Sequence, residues 1–264
     1  MCYAYRESAK GVEEKFSEHL TATASYCLKR WELDALARKV SRLLGLDTAT
    51  AKDSIVFAAL AHDIGKVASI YQEKCSKGLC TSFKGHYLVS AFLLSLALNL
   101  SGLEVSKESI KRFLEDQFDK LSKEEIIGVM ILLPVILHHY HQVRGYKSYS
   151  IEGHEEALEF LEEPRIYPEC VESLRSSLNT FSFGERIRGL ANALMNTLEN
   201  VGKYFGSDSY KASEMIVMGF YKDVIERDIK ALNRVTLGKC IVEAITGLIN
   251  LCDGWAASQA RRRL

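Results

Sequence analysis

Proline is scarce in this chain: three occur in 264 residues, at positions 134, 164 and 168, far below the average usage of about 5%. Many-turned β-proteins rarely tolerate so few, whereas long helices do. An excess of charge of one sign is also missing. Lys plus Arg number 34 and Asp plus Glu number 34, which excludes a generic basic coat for nucleic acid. No apolar run reaches the roughly 18–20 residues that span a bilayer; the longest, 126–137 and 88–98, read as buried helices and no membrane is expected. The opening residues MCYAYRESAKGVEEKFSEH have no apolar core of a secretory signal, which predicts a cytoplasmic protein. Paired CxxC spacing is absent among the seven cysteines (2, 27, 75, 80, 170, 240 and 252), so a structural zinc site built on thiols is excluded. Most cysteines read as small core residues. The exception is EKCSKGLC, a predicted loop in which Cys75 and Cys80 could approach each other; the sequence leaves open whether they form a disulfide.

What is present is apolar surface in helical register. Hydrophobic residues make up 47% of the chain and charged residues 26%, enough to bury a sizeable core. Leu33, Leu36, Ala37, Val40, Leu43 and Leu44 recur at three- and four-residue steps, giving an amphipathic helix that ends near Gly45. Further helices are predicted over 50–62, 85–101, 106–118, 122–141, 152–162, 168–178, 183–204, 209–232 and 236–262. No repeat or linker divides the sequence. A single all-α domain over residues 1–264 is therefore expected.

Five of the seven histidines (19, 62, 86, 138 and 139) fall within or at the edges of these apolar helices. One such imidazole is ordinarily a core residue hydrogen-bonded to backbone. Five, together with Asp63 and Asp253, are explained jointly by a metal site. In HDIGK (62–66) an imidazole and a carboxylate are neighbours at the end of an apolar helix, and Lys66 lies four residues from His62 and three from Asp63. Gly65 leaves room for close approach of a ligand or neighbouring backbone. The two oxygens of Asp63 could bridge two cations. His138 and His139, about 100° apart on a regular helix, can serve one site only where the helix is distorted or ending, and Pro134 gives a reason for that. Ser90, one turn beyond His86, is a candidate substrate contact. His141 and His154 read as solvated, and Asp223 and Asp228 in YKDVIERDIK as a solvated helix face, whereas Asp253 has apolar neighbours.

The ordered set His19, His62-Asp63, His86, His138-His139 and Asp253 resembles the signature of the HD-domain metal-dependent phosphohydrolases, an all-α family. Within that superfamily GHYLVSA, the His-His pair and CDGWAAS make the chain most similar to the stand-alone HD nuclease subunit of type I CRISPR systems. The resemblance implies a dinuclear site: His19, His62, Asp63 and Asp253 hold one ion, and His86, His138 and His139 hold the other, with Asp63 bridging. It also implies a DNA substrate, with RNA a further candidate, a separate superfamily 2 helicase and a CRISPR RNA-guided surveillance complex. The chain itself carries no GxxxxGK[ST] loop. Two cations about 3.5–4 Å apart would neutralise charge on the attacking and leaving oxygens of a phosphodiester and lower the pKa of water. Lys66 would bind a non-bridging phosphate oxygen or stabilise developing charge. The nitrogen-rich ligand set suits Mn, Fe, Co, Ni or Zn better than Mg, with Mn, Co or Ni the first to add in an assay. Two other readings are an HD phosphohydrolase of nucleotides or small phosphate esters, and a metal-free HD module that binds a partner. With zero net charge, and a few local basic residues such as Arg144, Lys147 and Arg261 to Arg263 to add backbone contacts, weak intrinsic DNA affinity and delivery by a partner are expected.

Overall fold

The computed structural model describes residues 1–139, 155–220 and 235–262. The expected all-α architecture is observed: twelve α-helices are described, with one small sheet that the sequence reading did not foresee. At the centre lie α3 (Thr48–Ala61), α5 (His86–Leu100) and α7 (Lys123–Leu137). All three are apolar on nearly every face. Every residue of α5 from His86 to Leu98 is buried, as is every residue of α7 from Ile126 to Ile136. A helix apolar all round belongs in the middle of a core. Local signals set the ends: Asp47 caps α3 by accepting from Thr50 N–H at 2.7 Å, and Ser122 and Glu125 form a capping box on α7.

Amphipathic helices close round this centre. The run read as a helix ending at Gly45 is α2 (Trp31–Leu44), which buries Leu33, Ala37, Val40 and Leu44 against α3. Gly45 follows with φ 65°, the left-handed cap that lacks a Cβ penalty. α1 (Phe16–Leu28) packs on α3 and on α12 (Leu237–Arg262), while α9 (Pro168–Asn179) covers α1 and α10 (Glu185–Tyr204) covers α5. α6 (Lys107–Leu114), α8 (Glu155–Glu162) and α11 (Asp208–Phe220) are further helices of this shell. The stretch Leu237–Ala260 is long and apolar enough, by length and composition, to cross a membrane, which the shorter runs noted in the sequence are not. Its stripe Ile241, Val242, Ile245, Leu248, Ile249 and Cys252 is buried, and the helix packs on α1 and α7.

The sheet is built by β1 (Tyr3–Glu7), β2 (Val12–Lys15) and β3 (Leu79–Cys80), in the order β2-β1-β3, all antiparallel. α4 (Ser69–Ser76), also unforeseen, tethers it to the helices. The buried amide of Gln72 accepts from Tyr3 N–H at 3.0 Å and donates to Tyr3 C=O at 2.9 Å and to Lys66 C=O at 2.8 Å. The hairpin is thereby tied to the turn that follows His62.

The cysteines correct the sequence reading. Six of the seven pair: Cys2 with Cys170, Cys27 with Cys252, and Cys75 with Cys80. They are buried as expected, but as disulfides and not as free thiols; Cys240 is free and exposed. Two pairs join cysteines 168 and 225 residues apart, separations from which no pairing can be inferred without the fold. Cys75 ends a helix and Cys80 lies in a strand, so EKCSKGLC is not a loop throughout.

Candidate metal centre

Seven side chains from five helices and one turn converge on Asp63. The chain leaves α3 at His62, and Asp63 opens a short 3-10 turn, Ile64–Val67. That turn lies hard against α5. A Cβ on Gly65 would stand 2.0 Å from the carbonyl oxygen of His86 and 2.6 Å from Ser90 N, so only glycine allows the approach. The room expected at Gly65 is taken by backbone. Ser90 is fully buried and its hydroxyl accepts from Gly65 N–H at 2.8 Å. Ser90 thereby pins the turn to α5.

The two oxygens of Asp63 face different groups. Oδ1 lies 2.8 Å from His86 Nε2 and 3.5 Å from His138 Nε2, and His139 Nε2 stands 3.0 Å from His86 Nε2. Oδ2 lies 3.2 Å from His19 Nε2 and 3.4 Å from His62 Nε2, and these two nitrogens are 3.2 and 3.6 Å from Asp253 Oδ1. Asp63, His86, His138 and His139 thus offer one set of donor atoms within 4.8 Å of one another, and His19, His62, Asp63 and Asp253 offer a second. α7 runs through Pro134 and ends at Leu137, so His138 and His139 stand in the turn beyond it, where both can point the same way. Asp253 comes from α12. His141, His154, Asp223, Asp228, Arg144, Lys147 and Arg263 lie outside the described residues, as do the side chains of Arg261 and Arg262.

The ring orientations suit a cation. Nδ1 of His62, His86 and His138 each pairs with the carbonyl three residues earlier: Ala59 at 2.8 Å, Phe83 at 2.5 Å and Val135 at 2.5 Å. A carbonyl can only accept, so Nδ1 carries a proton and Nε2 is the nitrogen turned toward the cluster. His19 Nδ1 pairs instead with Glu14 Oε1 at 2.7 Å. Among the described residues the buried Nε2 atoms of His19, His62 and His138 have no hydrogen-bond partner. Buried polar atoms are rarely left so, and three aimed at two carboxylates form a donor set that fits divalent cations of the nitrogen-tolerant kind.

Charge within the cluster is balanced locally. Lys66 Nζ lies 2.5 Å from Asp63 Oδ2 and 5.0 Å from the centre of the Phe83 ring. Burial works to raise the Asp63 carboxyl, but His62, Lys66 and His86 outweigh it and hold it well below the usual range. Burial likewise opposes ionisation of Asp253, and the close approach of the His19 and His62 rings prevails and holds it low. Burial opposes a charged His19, and Asp253, Asp63 and Glu14 overcome it, raising its pKa well above the ordinary value. His138 goes the other way: burial prevails over Asp63 and pushes it down to about 4. Beside His19 opens a groove of about 780 Å³, lined among others by Glu13, Glu14, Glu18 and Trp255. Among the described residues three glutamates and no lysine or arginine line it, a lining that disfavours a bare phosphate backbone.

Glu14 is the residue that sequence reading missed. It sits in VEEK, one apolar residue followed by three charged ones without visible alternation; only its place five residues before His19 was a signal.

An all-helical frame that brings an ordered set of histidines and aspartates round one shared carboxylate defines an HD-domain hydrolase, a class that works with divalent metals. The family model for Cas3, HD domain, matches residues 15–262, and the chain belongs to that family, the HD-domain nucleases of type I CRISPR systems. A search of curated proteins gave no match.

Proposed function

We propose that residues 1–264 form one nuclease domain that hydrolyses phosphodiester bonds of DNA, and secondarily RNA, with two divalent cations as cofactor. The observation that carries this reading is the division of Asp63: one carboxylate turned to two separate nitrogen groups. Cations held there would neutralise charge on a phosphodiester and lower the pKa of water. His86, His138 and His139 would bind one, His19, His62 and Asp253 the other, with Asp63 shared. Lys66, only partly buried, is the cation available to a phosphate oxygen once its partner Asp63 is engaged elsewhere. Together with the half-buried His139 it marks the side on which a phosphate meets positive or neutral groups.

In its cellular setting we read the chain as the cytoplasmic, target-degrading nuclease of CRISPR interference, working with a separate superfamily 2 helicase and a guide-RNA complex. Equal numbers of acidic and basic residues support delivery by such partners over tight intrinsic DNA binding. The test is incubation of the protein with circular single-stranded DNA and a nucleotide panel in Mn, Co, Ni or Mg. Loss of circles without nucleotide turnover is expected. Nucleotide turnover alone would transfer the site to a small phosphate ester, and inactivity in every metal would leave a binding module.

A further inference from the structure

Four buried histidines present Nε2 to the cluster, and one of them is held differently. His62 and His138 stand at the C-terminal ends of α3 and α7, where the last four carbonyls of a helix have no partner within it. Ala59 and Val135 supply such carbonyls. His86 opens α5 and uses the carbonyl of Phe83, which lies before the helix. His19 has no such recourse. It is the fourth residue of α1, and the carbonyl three residues earlier, that of Phe16, belongs to the helix ladder. Its Nδ1 partner must come from another element.

That partner is Glu14. On β2 the exposed Glu13 reaches Arg6 at 2.7 Å, and strand alternation turns Glu14 to the opposite face. There it is 3% exposed and 2.7 Å from His19 Nδ1. A carboxylate in this role differs from a carbonyl by a full charge, which strengthens the hydrogen bond and makes the opposite ring nitrogen a better donor to a cation. Glu14 lies just before the span that the family model matches, so the match does not carry this contact.

We infer that Glu14 is a positioning residue for the metal centre: it fixes the His19 ring with Nε2 toward Asp63 and Asp253 and tightens the hold of that group, and only that group, on its cation. The inference rests on the metal-centre reading above. Mn or Ni titration of the full chain by calorimetry tests it, comparing wild type with Glu14→Gln and Glu14→Asp. Circular dichroism checks the fold, and long-range nitrogen–proton NMR reads the His19 ring. Wild type is expected to bind two equivalents. In Glu14→Gln one equivalent should weaken 10–100-fold with the other unchanged, the His19 ring signals should shift, and Glu14→Asp should restore part of the loss. Equal weakening of both equivalents, or none, overturns the inference while leaving the centre intact. A wild-type chain that binds no metal overturns both.

Discussion

The two donor groups around Asp63 are made in opposite ways. The group of His86, His138 and His139 belongs to α5 and to the end of α7, helices buried on every side, and the rings of His86 and His138 are oriented by carbonyls three residues away. Its geometry is almost entirely local. The group of His19, His62 and Asp253 joins α1, α3 and α12. It takes a carboxylate from a sheet and is flanked by a disulfide between Cys27 and Cys252, the residue beside its aspartate. One site can thus combine a rigid half, fixed by core packing, with a half whose geometry depends on distant parts of the chain.

The largest break in this comparison is Asp63→Ala, which removes what the halves share. Both metal equivalents and at least about 1000-fold of cleavage should be lost, about 4 kcal/mol of transition-state stabilisation, with the helical circular dichroism kept; retained cleavage would refute the shared carboxylate. Next comes the double substitution Cys27→Ser with Cys252→Ser. A crosslink closing so long a loop contributes on the order of 4 kcal/mol, so calorimetry should show the melting midpoint falling by about 8 °C or more. Metal titration should weaken the Asp253 group and spare the other; an equal loss from both would mean that the halves are not mechanically separate. The smallest effect sharpens the contrast through pH. His19 has a raised pKa, so a cation competes with its proton to higher pH than at His138, and affinity at that group should go on rising with pH after that of the other group has levelled off. His138, with its pKa near 4, is already neutral and adds no such slope above about pH 5. Calorimetry in buffers of different ionisation enthalpy counts the released protons; identical release at both groups would contradict the asymmetry.

The sequence was legible where geometry is local. Three- and four-residue periodicity located the central helices to within a few residues, and apolar context picked out Asp253 ahead of Asp223 and Asp228. Pro134 was the reason given for His138 and His139 to serve one site, whereas α7 runs through it and the pair stands in the turn after Leu137. What stayed hidden depends on chain segments meeting across the fold. Strands of two to five residues show no period of two, so the sheet and Glu14 were invisible. Ser90 gave its type but not its direction, which is set by how closely Gly65 lets the turn approach α5. Only Cys75 and Cys80, five residues apart, had a spacing that suggested a pair.

The late position of α12 also bears on how the protein is born. The ligands of one group are all present once residue 139 has been synthesised, whereas the other waits 114 residues more for Asp253. At roughly 5–20 residues per second that interval is about 6–23 s. A chain on the ribosome therefore has the makings of a half-site only, and its second half closes when α12 folds back over α1.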